Sequence, residues 1–353
     1  MENPAVSVLM PVYNGLPYLT EALDSLLAQT FQNFEIVAVN DGSTDGSAEV
    51  LAAYASRDER VVVVTNEENI GLPRTLNKGL EECRAALVAR ADADDRYRKD
   101  RLEKQAAFLD AHPEVGLLSC WVQKIKADGE YFSLVRFPTE DGEIRVRELF
   151  VNSFSHPGVM FRRDLVRDIG GYDPKYWTSE DADLWARIRP LMKSANLAEP
   201  LIFYRKHEGS MMRTRGSEGE KLSLSVRQRL LSEYLGRPLS IDEARGAVMT
   251  FRASQGVTRD DVKVGMALIK NVHDEIRERE ELSTLRYFEA EVIASYMRLA
   301  KVFKASAPAL SYALVTSAFL MHPRQALAAV TNHTMALATL IGRKRFKKAI
   351  PHE

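Results

Sequence analysis

Cysteine is scarce in this chain: Cys83 and Cys120 are the two among 353 residues. Both stand in apolar surroundings without metal-ligand spacing, so a disulfide scaffold is excluded in practice and a reducing cytoplasmic setting is expected. An excess of either charge is missing as well. Lys+Arg number 48 and Asp+Glu 49, a net charge of -1. That balance argues against a nucleic-acid partner held by a broadly basic surface. No uninterrupted apolar run reaches the ~20 residues that a membrane-spanning helix needs. The N-terminus lacks a basic stretch followed by an apolar core, so no signal peptide is expected. No convincing internal repeat is present.

What remains is ordinary globular composition, 45% hydrophobic and 27% charged. The length suits one large α/β domain with an appendage, or two domains. Short apolar runs at Val6–Val12, Glu35–Val39, Val61–Val64 and Leu87–Ala89 read as buried strands. Between them Leu19, Leu23, Leu26 and Leu27, then Val50, Leu51 and Tyr54, recur at helical spacing. Gly71-Leu72-Pro73 opens a further helix, with Pro in its first turn. Strands alternating with helices predict a mostly parallel sheet covered on both faces. From about Ser119 the pattern loosens. Strands are expected at Tyr131–Phe137, Val159–Phe161 and Leu201–Tyr204, and a helix opening at Glu180-Asp181 with Leu184, Trp185 and Ile188 inside it. From about Ser217 helical signals dominate. The expected division is a catalytic region over 1–216, with halves near 1–118 and 119–216, and a helical region over 217–353.

Ligands of parallel α/β sheets bind beyond the carboxyl ends of the strands. Asn14, Asp41 and Asp92 each fall just past such an end. The run Arg90-Ala91-Asp92-Ala93-Asp94-Asp95 is the strongest signal. Three adjacent carboxylates repel one another, and a hard divalent cation such as Mn²⁺ or Mg²⁺ is the obvious partner. A plain acidic turn is the alternative. Asp41, in Asn40-Asp41-Gly42-Ser43, suits a hydrogen bond to a base or ribose, or an Asx-turn. Asn69-Ile70-Gly71 with Arg74 suits an anionic phosphate at a helix start, or simply a solvated helix end. Glu180 or Asp181 is placed to act as a general base at a helix N-terminus, or merely to cap it. His207 is a candidate metal or phosphate ligand, or simply a lone surface histidine. His156 and Trp185 are weaker acceptor-side candidates, and Trp185 at helical spacing equally suits a core.

Taken in order, Pro11-Val12-Tyr13-Asn14, Asn40-Asp41-Gly42-Ser43-Thr44-Asp45, Asn69-Ile70-Gly71, Asp92-Ala93-Asp94-Asp95, Gly170-Gly171-Tyr172-Asp173, Glu180-Asp181-Ala182-Asp183-Leu184-Trp185 and His207-Glu208-Gly209-Ser210 resemble the family 2 glycosyltransferases. Each is weak alone; seven in register are specific. The resemblance covers roughly Pro4 to Arg215. It implies a GT-A fold and inverting transfer from a nucleoside-diphosphate-sugar donor to an acceptor hydroxyl, in polysaccharide or glycoconjugate synthesis. By the same resemblance Pro11, Val12, Tyr13 and Asn14 line the nucleotide, Asp41 holds the base, and Asn69, Gly71 and Arg74 frame the pocket. Asp92, Ala93 and Asp94 are the Asp-x-Asp segment, with Asp94 the more direct metal ligand. Asp181 is the base, and His207 completes the metal or diphosphate site. Arg98 departs from the family's usual proline a few residues after the aspartates.

Two rivals stand beside this reading. A sugar nucleotidyltransferase would want a Gly-rich, Lys/Arg-bearing loop after the first strand, where Pro11-Val12-Tyr13-Asn14-Gly15 stands instead. A non-catalytic nucleotide-sugar-binding protein on the same fold is disfavoured by intact Asp92, Asp94 and Asp181. The expected acceptor is a saccharide or lipid-linked saccharide. Lys206–Gly216, rich in Gly, Ser, Met and Arg, is the candidate lid. The apolar stretches Ala309–Met321 and Ala326–Ile341, followed by Arg343-Lys344-Arg345-Phe346-Lys347-Lys348, suit peripheral contact with the inner membrane surface. The alternative is helices packed on the catalytic region or on a second copy in a homo-oligomer.

Overall fold

The computed structural model describes residues 3–207, 216–327 and 329. The strands are β1 (Val6–Val12), β2 (Phe34–Asp41), β3 (Val61–Asn66), β4 (Leu87–Arg90), β5 (Arg96–Tyr97), β6 (Val115–Lys126), β7 (Tyr131–Val135), β8 (Met160–Arg162) and β9 (Lys193–Lys206). The helices are α1 (Leu19–Leu27), α2 (Ser47–Ala55), α3 (Leu72–Glu82), α4 (Arg101–Ala111), α5 (Asp141–Glu148), α6 (Arg163–Asp168), α7 (Glu180–Ile188), α8 (Gly216–Tyr234), α9 (Ile241–Arg252), α10 (Arg259–Arg279), α11 (Leu282–Phe303) and α12 (Pro308–Met321). They form two compact units. One comprises the chain up to Glu148 with Asn152–Val226; the other comprises Leu149–Val151 and the chain from Arg227 onward.

In the first unit the strands make one nine-stranded sheet, ordered β3-β2-β1-β4-β8-β6-β9-β5, with β7 paired to β6. The run β3-β2-β1-β4 is parallel throughout. Beyond β4 the sheet becomes mixed: β8 is antiparallel to β4 and β6, β9 is parallel to β6, and β5 is antiparallel to β9. The alternation in β1 separates two cores. Val6, Val8, Met10 and Val12 pack with Leu19, Leu23 and Leu26 of α1 on one face. Leu9 faces the other way, with Leu76 and Leu80 of α3. Burial of such side chains, roughly 1.5–3 kcal/mol each, is the main force holding the layers together.

Direction along the strands positions the site. β6 is antiparallel to β8, which is antiparallel to β4, so β1, β2, β4, β6 and β9 all end at one edge of the sheet. Helix α7 leads into β9 through a short link, which puts the N-terminus of α7 at that same edge. The segment before β8 also starts there, because Met160 pairs with Ala89 near the end of β4.

In the second unit α9 and α10 begin with capping boxes, Ser240 with Glu243 and Thr258 with Asp261, which satisfy backbone N–H groups that a helix start leaves open. Phe150 stacks on Phe251, with ring centroids 4.3 Å apart, and Phe288 lies beside both. Among the described residues no helix is long and apolar enough to cross a membrane. The candidate lid lies, apart from Lys206, His207 and Gly216, outside the described residues, as does most of the second apolar stretch and all of the basic run after it.

Candidate active site

Two loops at the strand ends are laced together. Asn14, with φ +50°, accepts a hydrogen bond from Thr44 N on Oδ1 (2.9 Å) and donates its backbone N–H to Ser43 Oγ (3.0 Å). Gly15 N donates to Ser47 Oγ and Leu16 N to an Asp45 carboxylate oxygen, each at 2.9 Å. Gly42 has φ +68°, and a Cβ there would lie 2.6 Å from the carbonyl carbon of Glu68. Only glycine lets the loop after β2 come this close to the Glu68–Asn69 backbone.

Asp41 is buried and its carboxylate is engaged by the protein itself. Oδ1 accepts from Asn66 Nδ2 (2.7 Å) and Ile70 N (3.0 Å), and Oδ2 accepts from Gly71 N (3.2 Å). The residue therefore fixes the entry to α3, where Asn69 Oδ1 also accepts from Gly71 N. Tyr13, Asn14, Asn69 and Arg74 are exposed around this loop; Val12 is buried and Pro11 partly so.

The aspartate cluster follows β4. Its three carboxylates present oxygen atoms within 4.8 Å of one another. Asp92 forms an ion pair with buried Arg90, and its backbone is held by the Tyr97 hydroxyl. Asp94 Oδ2 meets His207 Nε2 at 2.9 Å. Asp95 is buried; one oxygen accepts from Arg205 N at 2.8 Å, and Oδ2 has no hydrogen-bond partner among the described residues. Arg205 buttresses the turn. It donates to Asp94 O and Ala127 O, pairs with Glu21 and stacks over Tyr18, whose ring also meets His207. Burial, then the charge of Asp92, pushes the Asp94 carboxyl above its usual range, and His207 pulls it back in part. Burial, then Asp94 and Asp92, pushes Asp95 well above it. Oxygen donors at this spacing, with a buried oxygen left unsatisfied, fit a hard divalent cation.

A second cluster stands at the start of α7. Asp181 Oδ2 accepts from Asn152 Nδ2 and Oδ1 from Ala182 N, each at 2.7 Å. Its neighbour Glu180 turns elsewhere: Oε1 lies 3.5 Å from His156 Nδ1, while His156 Nε2 meets the Tyr172 hydroxyl at 3.0 Å. Tyr172 is buried and clamped on both sides of its peptide by Asn77, which accepts from Tyr172 N (2.8 Å) and donates to Tyr172 O (2.7 Å). Trp185 is 2% exposed. Its indole packs edge-on to His156 and Phe154 within the core. The ring is thus not open to solvent as an acceptor platform; its place one turn into α7 turns it inward beneath His156.

Asn152, Tyr172, Arg90 and Arg205 thus touch the candidate site residues, and the sequence gives none of them a separate role. Tyr172 was inside a recognised Gly-Gly-Tyr-Asp segment, but its partners come from far along the chain. Arg90 stood in the acidic run but without a role of its own, and Asn152 and Arg205 carried no signal beyond residue type.

A mixed sheet with a parallel N-terminal half, an aspartate cluster after the fourth strand and a carboxylate at a helix start are arranged as in glycosyltransferases of GT-A fold, and similarity to known proteins agrees. The sequence pattern of glycosyl transferase family 2 matches residues 7–170. The chain is 32% identical over 240 residues to the O-antigen biosynthesis glycosyltransferase WbnJ of Escherichia coli, covering 67% of this chain and 92% of that protein. It is 30% identical over 189 residues, 53% of this chain and 68% of the other, to an E. coli UDP-Gal:alpha-D-GlcNAc-diphosphoundecaprenol beta-1,3-galactosyltransferase. Residues 1–349 of S. aureus TarS, solved with UDP-GlcNAc, share the fold at a TM-score of 0.56 and 20% identity, over 94% of this chain and 92% of that one. Against another S. aureus TarS structure the match covers 92% of this chain and 54% of that one, at a TM-score of 0.54 and 20% identity. The protein belongs to glycosyl transferase family 2.

Proposed function

We propose that the protein is an inverting glycosyltransferase that takes a sugar from a nucleoside-diphosphate-sugar and moves it to a hydroxyl of a saccharide or lipid-linked saccharide. The observation that carries this is the pairing of two unlike acidic sites at one edge of the sheet. One is a cluster of three aspartates suited to a cation. The other is a single carboxylate, Asp181, held by Asn152 at a helix start.

In this reading the nucleotide lies over Pro11, Val12, Tyr13 and Asn14, framed by Asn69, Gly71 and Arg74. Asp41 acts on the base pocket chiefly by ordering the Asn69–Gly71 loop. Asp94 and Asp95, with Asp92 and His207 beside them, would hold Mn²⁺ or Mg²⁺, and Ala93 lets the donor approach. A bound cation would supply Lewis-acid neutralisation of the departing diphosphate. Asp181 takes the proton of the acceptor hydroxyl as that oxygen attacks the anomeric carbon from the side opposite the leaving group. The bond to the diphosphate breaks as the new glycosidic bond forms, which inverts the configuration. Glu180, His156 and Tyr172 form the wall on the acceptor side, with Trp185 packed under the imidazole. The acceptor class draws on the diphosphoundecaprenol-linked acceptor in the name of the galactosyltransferase relative.

Asp94→Ala tests the cation site. It is expected to remove the metal-dependent part of nucleoside diphosphate binding and to abolish transfer while the protein stays folded. Full transfer by this variant, or unaltered metal dependence, would overturn the assignment.

A further inference from the structure

The near-zero net charge hides a strong asymmetry. After Glu291 the chain carries nine Lys/Arg and a single carboxylate side chain, Glu353, a net charge of +8 over 62 residues. The preceding 291 residues carry 39 Lys/Arg and 48 Asp/Glu, a net of -9. Such separation of charge within one chain points to an anionic surface as partner.

Helix α12 lies inside this positive stretch and has no charged residue. It packs on α11, and Ser311 Oγ donates to Ala300 O at 2.7 Å. Leu314 and Ala318 are buried on the packed side. Tyr312, Thr316, Phe319 and Leu320 share the opposite side at helical spacing. There Tyr312 is 74% and Leu320 81% exposed. A helix that is apolar all round belongs in a core or in lipid. Among the described residues, α12 packs on α11 with its Leu314 and Ala318 side, and Tyr312 and Leu320 stay exposed on the other. Exposed Lys301, Lys304 and Arg324 flank it, and five of the nine basic residues follow in the run from Arg343 to Lys348.

We infer that the outer side of α12, Tyr312–Phe319–Leu320, lies in the interface of an anionic lipid bilayer, with Lys301, Lys304 and Arg324 near the headgroups. Tyrosine suits the boundary, because its ring is apolar and its hydroxyl reaches water. At 14 residues α12 is too short to span a bilayer, so it lies along the surface. Neither half suffices alone: the apolar side is small, and the basic charges are screened by salt. Together they supply the two signals that stable peripheral binding needs. The inference does not depend on the proposed transfer reaction.

The test is co-sedimentation of the full chain with phosphatidylcholine vesicles, with and without phosphatidylglycerol. The chain is expected to pellet only with the anionic vesicles. Tyr312→Ser with Leu320→Ser, and separately Lys347→Glu with Lys348→Glu, are each expected to weaken binding by at least about tenfold. Tyr312 and Leu320 are exposed, and unchanged melting temperatures confirm that the folds of both variants survive. A chain that stays in the supernatant with anionic vesicles overturns the inference. So does pelleting indifferent to the Tyr312 and Leu320 pair. Equally tight binding of single-stranded RNA, lost in the Lys variant alone, would assign the charge to nucleic acid instead. A dimer in sedimentation velocity that the Tyr312/Leu320 variant dissociates would assign the apolar side to a second copy.

Discussion

Replacing Asp181 by asparagine changes one atom and removes the proposed base. The consequences can be followed bond by bond. The carboxylate accepts from Asn152 Nδ2 and from Ala182 N. An asparagine can keep its carbonyl toward Ala182 N, but its amide NH₂ then faces the NH₂ of Asn152. Asn152 can relieve that only by turning its own amide, which gives up the bond from Phe154 N to Asn152 Oδ1 (3.1 Å). One hydrogen bond is lost either way, about 1 kcal/mol of stability. The catalytic loss is larger. A positioned base contributes roughly 10²–10⁴-fold, which is about 3–5 kcal/mol of barrier. Asp181→Asn is therefore expected to fold, to bind nucleoside diphosphate within a factor of about two of the parent, and to lose turnover by at least about 100-fold. Titration calorimetry with the diphosphate and a single-turnover transfer assay measure the two quantities. Turnover of bound donor within a few-fold of the parent would refute the role. A collapse of diphosphate affinity with turnover preserved would make Asp181 a binding group.

Asp41→Ala leaves Asn66 Nδ2, Ile70 N and Gly71 N without their acceptor. A stability loss of roughly 2–4 kcal/mol is expected, and the donor Michaelis constant should rise more than turnover falls. Unaltered affinity for free nucleoside diphosphate would count against the loop-ordering role. Gly171→Ala puts a Cβ 2.5 Å from Asn77 Oδ1 at a φ of +66°. It is expected to cost about 2–4 kcal/mol and to free the Tyr172 clamp; an unchanged melting temperature would remove that clamp from the account. Burial pushes the Cys83 thiol up to about 12 and that of Cys120 up to about 11. Both should resist alkylation in the native protein at pH 8, and rapid labelling of either would contradict their burial.

The parallel half of the sheet was legible because β1, β2, β3 and β4 are short runs of Val, Ile, Leu and Ala ending in polar turns. Such runs have no other stable place than between two layers of helices. β6 was not legible. Its sequence Val115–Lys126 mixes Ser119, Cys120, Gln123 and Lys124, and its pairing with β9 shifts register around Cys120 and Trp121. Neither strand therefore shows a clean alternation. Only Leu201–Tyr204 of β9 stood out, while Asn196, Glu199 and Pro200 masked the first half. The mixed pairing beyond β4 depends on these two strands, and so it too emerged only in three dimensions.

At the site, residue types were legible and their partners were not. Asp92, Asp94 and Asp95 stand together in sequence, but nothing local says that Asp92 turns to Arg90, Asp94 to His207 and Asp95 to the backbone N–H of Arg205. Glu180 and Asp181 are neighbours whose side chains diverge, one toward His156 and the other toward Asn152. That divergence follows from positions one apart on a helix, about 100° around its axis. Which way each faces depends on how α7 lies against the segment before β8. Trp185 shows the reverse case: its spacing suited either a platform or a core, and the structure puts it in the core.

The most direct measurement is the configuration of the sugar first released when the protein slowly hydrolyses a nucleoside-diphosphate-sugar without acceptor. Proton NMR, followed from mixing across a panel of donors with Mn²⁺ or Mg²⁺, reads the anomer before it mutarotates. Attack opposite the leaving group requires that an α-linked donor give the β-sugar first, together with the nucleoside diphosphate. The signal should vanish with chelator, with Asp94→Ala and with Asp181→Asn. The α-sugar appearing first, or cleavage that persists in chelator, would contradict the account.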